Sequence, residues 1–163
     1  MQTSQSIDLE VRLRERLKGK VLLVGIGNTL RGDDGLGPRI IEALAGKVRA
    51  ELLDVGEVPE SYTGRIISAR PDTIVLIDAA DFGGAAGDLA TLETEDFTGC
   101  AVSTHRMSLG VFCRYIKENS HADMFALGIQ PAAVGFGETM TIAVTRSAQA
   151  VAEFLQRALA LEG

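Results

Sequence analysis

The sequence predicts an α/β fold built around a largely parallel sheet. Continuous apolar runs alternate with helical patterns along the chain, as βαβ units require. Each apolar run ends in glycine, proline or a small-residue loop, which punctuates strands rather than long helices. Length sets the scale: the chain has 163 residues, and one core typically takes roughly 100–200. Residues 1–163 are therefore expected to form a single domain.

The elements follow in order. Residues 7–18 place Leu9, Leu13 and Leu17 at i+4 spacing, which predicts an amphipathic opening helix. "KVLLVGIG" (20–27) is the first strand, of the buried type. A helix is expected over 37–46, with Pro38 in its first turn, where the missing N–H costs nothing. "AELLDVGE" (50–57) is the second strand, and 60–69 a helix stopped before Pro71. "DTIVLIDAA" (72–80) is the third strand and "GDLATLE" (87–93) a shorter edge strand. "THRMSLGVFCRYIKENS" (104–120) is a helix leading to "DMFALGIQ" (123–130), and "RSAQAVAEFLQRALALE" (146–162) closes the chain as a helix. No repeat, linker or low-complexity tract interrupts this order.

Composition excludes several function classes. The chain has 16 basic and 22 acidic side chains, a formal charge of −6, which argues against a nucleic-acid partner. The locally basic stretch Arg12 to Lys20 is interleaved with acids and reads as a solvated helix face. Cys100 and Cys113 form neither a CxxC pair nor part of a Cys/His cluster, as expected of a reduced, cytoplasmic protein. No run approaches the roughly 20 apolar residues that span a bilayer, and the first 20 residues lack the apolar core and cleavage site of a signal peptide. No membrane partner is expected.

The chemistry concentrates in "GNTLRGDDG" (27–35). A strand running into a glycine loop and then a helix is a common ligand cradle, and Gly27 and Gly32 have the spacing of a phosphate-binding loop. Such a loop continues with Lys and Ser or Thr; here Asp33 and Asp34 follow, and they would repel a triphosphate. A dinucleotide site fits no better: Leu30 stands at the third glycine position of "GIGNTL", although Asp54 follows at about the right distance for a ribose contact. Paired carboxylates suit a cation.

In open α/β sheets ligands gather beyond the carboxyl ends of the strands. Asp78, in "VLIDAADF", lies at that end of an otherwise apolar strand, and Asp81 is a second candidate nearby. Either could instead be a plain loop or cap aspartate. His105 follows Ser103 and Thr104, both possible N-caps, and the dipole of a first helical turn keeps an imidazole neutral, as a metal ligand must be. A structural role is the plainer alternative for a histidine at a helix start. His121 falls on a polar stretch and reads as surface. Two carboxylates and one imidazole would suit a borderline ion such as Zn²⁺ or Ni²⁺ and leave positions open to water or substrate. The residues alone neither name the metal nor prove that these side chains converge. Nucleophile mechanisms find no support: Cys113 sits on the apolar pattern of a helix, Ser103, Thr104 and His105 are merely consecutive, and no GxSxG elbow is present.

At these residues the chain resembles the nickel–iron hydrogenase maturation proteases, and most of all the branch serving the formate-linked hydrogenase 3. "VLLVGIGNTLRGDDGLGPRI" is similar to the family's opening motif and "PESYTGRIISARPDTIVLIDAADFG" to its second block. "STHRMSL" resembles its histidine block, and "LGIQPAAVGFGETMT" its late block. The resemblance covers roughly residues 20 to 150 and implies a three-layer α/β/α sandwich with a twisted, mostly parallel sheet of about five strands. It implies a cytoplasmic endopeptidase that removes a short C-terminal extension from the hydrogenase large-subunit precursor once the nickel–iron centre is loaded. Carried over motif by motif, the catalytic and metal-contacting residues are Asp34, Asp78 and His105, while Asp33 matches a position that is not a ligand. Nickel then arrives with the substrate as the signal that loading is finished; the other version is a resident divalent ion that polarises the scissile carbonyl or activates water. Thr139 stands where the family has proline, and residues 1–18 form a helical extension that the family often lacks. Two alternatives of other classes are a non-proteolytic nickel-binding maturation factor and a small-molecule or nucleotide-binding α/β domain.

Overall fold

The structure, a computed structural model, describes residues 4–99 and 106–162. Five strands form one sheet: β1 Val21–Ile26, β2 Glu51–Gly56, β3 Thr73–Ala79, β4 Leu89–Glu93 and β5 Asp123–Ile129. Their spatial order is β2-β1-β3-β5-β4. β1 pairs parallel with β2 and β3, β3 pairs parallel with β5, and only the edge strand β4 runs antiparallel, against β5. The helices are α1 Ser4–Arg16, α2 Leu36–Leu44, α3 Thr63–Ala69, α4 Thr94–Gly99, α5 Arg106–Asn119 and α6 Ile142–Ala158.

Strand periodicity explains the three layers. In β1, Val21 and Leu23 join an apolar cluster with Ile40, Ile41 and Leu44 of α2 and with Val151, Phe154 and Leu155 of α6. The alternate residues Leu22, Val24 and Ile26 join a second cluster with Ile66 of α3 and Leu109, Phe112 and Ile116 of α5. Successive side chains of a strand point to opposite faces, so a continuous apolar run is what a sheet covered on both faces needs. α1 lies on the α2/α6 face and buries Leu13 there. Among the described residues no helix is long and apolar enough to cross a membrane.

The strands fall where the sequence predicts them, and the corrections lie at helix ends. α6 starts at Ile142, four residues before the expected Arg146; Ile142 is 72% exposed and stands outside the apolar periodicity, so the pattern does not declare this first turn. The expected helix at 60–69 divides into a 3₁₀ turn, Pro59–Tyr62, and α3. α4 has no counterpart in the sequence pattern; its six residues are too few to show a 3.6-residue period, although Glu95 and Asp96 favour its first turn.

Candidate active site

β1 and β3 are hydrogen-bonded neighbours whose connections leave in opposite directions: α2 leads from β1 to β2, whereas the chain after β3 leads to β4 and β5. Such a topological switch point opens a crevice at the carboxyl ends of the two strands. Asp34 lies in the loop after β1, and Asp78 is the penultimate residue of β3.

The loop after β1 is compact. Gly27 has φ +140°, and a Cβ there would meet the Asp34 carbonyl oxygen at 1.9 Å, so only glycine lets the chain fold back this closely. Asn28 forms a local turn in which its Oδ1 accepts the Leu30 N–H at 2.9 Å. A 3₁₀ turn, Gly32–Gly35, then carries Asp33 and Asp34 into α2. At Gly37 a Cβ would meet the carbonyl oxygens of Ile77 and Ile26 at 2.4 and 2.5 Å. Glycine therefore lets α2 lie backbone-to-backbone on β1 and β3, which brings the 3₁₀ turn against β3.

The two adjacent aspartates are both buried, at 0% and 2% exposure, but they face different surroundings. Asp33 is consumed by the segment after β5. Its Oδ2 accepts the N–H groups of Ala132 (2.8 Å) and Ala133 (2.9 Å). Its Oδ1 accepts the N–H of Thr141 at 2.7 Å, and the Thr141 hydroxyl reaches both oxygens at 3.0 Å. The Asp33 N–H donates in turn to the Ala133 carbonyl at 2.7 Å. Asp34 turns back into its own loop, where its Oδ2 accepts the Asn28 N–H at 3.0 Å.

Asp78 is fully buried and pairs in register with Gly128 of β5. By strand parity it follows Ile74 and Leu76, whose cluster includes Leu109 and Phe112 of α5. It thus lies on the α5 face of the sheet, and α5 begins at Arg106, the residue after His105. His105, Ser103 and Thr104 lie outside the described residues. Among the described residues no group of three His, Cys, Asp or Glu side chains is placed to hold a metal ion.

The remaining candidates separate clearly. Asp81 is exposed and accepts the Gln130 amide and the Gly83 N–H, both at 3.1 Å; these hydrogen bonds, Gln130 first, hold its carboxyl below the usual range. Gln130 is the residue that composition and motif both missed. It is buried, and its Oε1 accepts the N–H groups of Phe82 and Gly84, which fixes the loop after β3. A glutamine closing an apolar strand was the available signal. Asp54 is exposed at the end of β2 and accepts the Gly56 N–H. With Glu57 it lines a cleft of about 310 Å³ beside Gly27 and Asn28, an acidic wall that would repel phosphate. Cys113 is buried, and burial pushes its thiol up to about 12, which removes it as a nucleophile. His121 is exposed.

A family model described as hydrogenase maturation protease matches residues 38–160. The chain belongs to this family. The protease is 33% identical to the hydrogenase 3 maturation protease of Escherichia coli K12 over 138 residues, covering 83% of this chain and 88% of the relative. It is 29% identical to a putative hydrogenase maturation protease of Methanocaldococcus jannaschii, covering 76% and 80% of the two chains. Its fold matches the crystal structure of the NiFe hydrogenase maturation protease HycI from Thermococcus kodakarensis KOD1 with a TM-score of 0.83 at 35% identity, over 91% of this chain and 98% of that one. The family model begins four residues after Asp34. A match over 91% of the chain must extend N-terminal of Pro38, because residues 38–163 are 126 of 163, about 77%.

Proposed function

We propose that this protease removes a C-terminal extension from the nickel-loaded large-subunit precursor of a NiFe hydrogenase, in the cytoplasm. In this reading Asp34, Asp78 and His105 contact the nickel that the precursor presents, and the metal is the mark of a finished centre. The observation that supports it is the difference between the paired aspartates. Asp33 spends both oxygens on structure, while Asp34 is buried in the loop that follows β1 and Asp78 is buried at the end of the neighbouring strand β3. Carboxylate oxygens with one imidazole suit a borderline divalent ion, and three protein ligands leave room for the precursor's own groups.

Within this scheme the protein's part is positional. The Asn28 N–H orients the Asp34 carboxylate, and the parity of β3 sets Asp78 on the α5 face. A divalent ion at such a site polarises a carbonyl or lowers the pKa of bound water. Membership of the family, and 33% identity to the hydrogenase 3 maturation protease, support the substrate class.

The test uses nickel-loaded and metal-free precursor side by side, with the product read by mass. The loaded form should be shortened and the metal-free form left intact. Asp34→Ala should abolish shortening while losing about 1–3 kcal/mol of stability, the range for removing one partner of a buried hydrogen bond, so that the variant stays folded. Equal cleavage of metal-free precursor, or normal cleavage by Asp34→Ala, overturns the proposal.

A further inference from the structure

The segment between β5 and α6, residues 130–141, is held in place with unusual thoroughness for a loop. Asp33 takes Ala132, Ala133 and Thr141, and so fixes both of its ends to the loop that carries Asp34. The Arg31 side chain donates to the Val134 carbonyl at 3.3 Å, and the Gly137 N–H donates to the Leu30 carbonyl at 2.8 Å. Residues 135–138 then close a turn through the Glu138 N–H and the Gly135 carbonyl at 3.1 Å, with Gly137 at φ +82° in its third position. That is the geometry of a type II turn, which needs a residue of positive φ there. The Glu138 carboxylate accepts the Gly135 N–H at 2.7 Å and locks the turn from the other side.

What this scaffold carries is exposed. Phe136, at the second position of the turn, is 77% accessible, and Leu30, whose carbonyl the turn holds, is 61% accessible. A rigid support that presents an aromatic side chain to water forgoes the gain of burying it. Preorganised aromatic side chains of this kind are how binding surfaces place their anchors.

We propose that Phe136, with Leu30 beside it, is the anchor that seats an apolar side chain of the precursor polypeptide next to the bond that is cut. The proposal rests on the proteolytic reading above and names where its substrate docks. The occupant follows from continuity: hydrogen bonds from Ala132, Ala133, Thr141 and Gly137 tie the turn to the loop that carries Asp34, so the turn flanks the site at which the precursor is read. The partner must offer a large aliphatic or aromatic side chain rather than a charge. Arg31, the nearby cation, donates through its Nε to the Val134 carbonyl and so braces the turn.

Steady-state cleavage of the nickel-loaded precursor tests this with Phe136→Ala, the double variant Leu30→Ser/Phe136→Ser, and Val11→Ala as a control on α1, where Val11 is 50% exposed. The two turn variants should raise KM by about tenfold or more, which corresponds to about 1.4 kcal/mol of binding. Their kcat should stay within about twofold, and their unfolding temperature should match wild type, because exposed side chains contribute little to stability. Phe136→Leu should restore most of the KM, and the control should leave it unchanged. An unchanged KM in the double variant overturns the anchor. So does sedimentation that shows wild type dimerising through Phe136 and the variant monomeric. If wild type binds the precursor without shortening it, the cleavage proposal fails by itself and affinity replaces KM. A tenfold loss of affinity in the variants then supports the anchor, and equal affinity overturns it.

Discussion

At Asp33 a single buried carboxylate gathers the donors of Ala132, Ala133 and Thr141 from about a hundred residues further along the chain. Its neighbour Asp34 accepts an N–H from six residues back in its own loop. The two adjacent carboxylates are therefore held by different parts of the chain, Asp33 by the segment after β5 and Asp34 by its own loop. An amide at 33 would have to turn its NH₂ toward donors on one side, leaving two buried groups facing each other donor to donor. Each such loss costs roughly 1–3 kcal/mol, so Asp33→Asn should lose about 3 kcal/mol, or roughly 10 °C in unfolding temperature for a chain of this length. Thr141→Val removes only the hydroxyl and keeps the N–H, and should lose about 1 kcal/mol. Urea denaturation of both variants measures the gradation, and an Asp33→Asn protein as stable as wild type would contradict it. The doublet shows how far the residues could be read in advance. That two carboxylates would repel a phosphate follows from charge alone, but that Asp33 is the one tied to a distant segment depends on partners that the spacing of the motif does not reveal.

At the scale of elements, α1 has a role that no motif assigned to it. Besides burying Leu13, it ends on Arg16, whose guanidinium reaches Glu93 of β4 at 2.6 Å and Asp123 at the start of β5 at 2.7 Å. The same group lies 4.0 Å from the centre of the Phe125 ring. Arg16 thus fastens the antiparallel edge strand to its neighbour. A forked, stacked arginine in a partly covered position is worth more than an exposed ion pair, so Arg16→Ala should cost about 1–2 kcal/mol. The loss should appear locally, as roughly tenfold faster amide exchange in 89–93, and Arg16→Lys should recover less than half of it. Exchange in β4 unchanged by Arg16→Ala would show that the strand holds itself. The legibility of the fold follows the same line between local and distant causes. The five strands could be read because a sheet buried on both faces writes itself as unbroken apolar runs such as "VLLVGI" and "TIVLIDA". The order β2-β1-β3-β5-β4 could not be read, nor could the first turn of α6, where Thr141 spends its hydroxyl on Asp33 instead of capping the helix. α4 is shorter than a helical period can declare.

For the molecule as a whole, the question is whether folding and metal binding are coupled. Leu23, Val75 and Phe125 pack one face of the sheet, and Leu22, Ile74 and Phe112 the other. A chain of this length buries enough apolar surface to need no structural ion. If nickel comes with the precursor, the protease alone should be indifferent to chelation. An ion resident in the native state at about a hundred times its Kd would stabilise it by about 2.7 kcal/mol. Stripping such an ion would lower the unfolding temperature by roughly 5–10 °C. We therefore expect protein purified without chelator or added metal to hold far less than one ion per chain, and dialysis against EDTA to move its unfolding by no more than about 1 °C. Elemental analysis beside a thermal scan decides the matter. Stoichiometric metal with a large EDTA-induced drop would assign the ion to the protease itself. The buried edge of Asp34 and Asp78 would then hold a catalytic metal, and the precursor's nickel would no longer be what the protease reads.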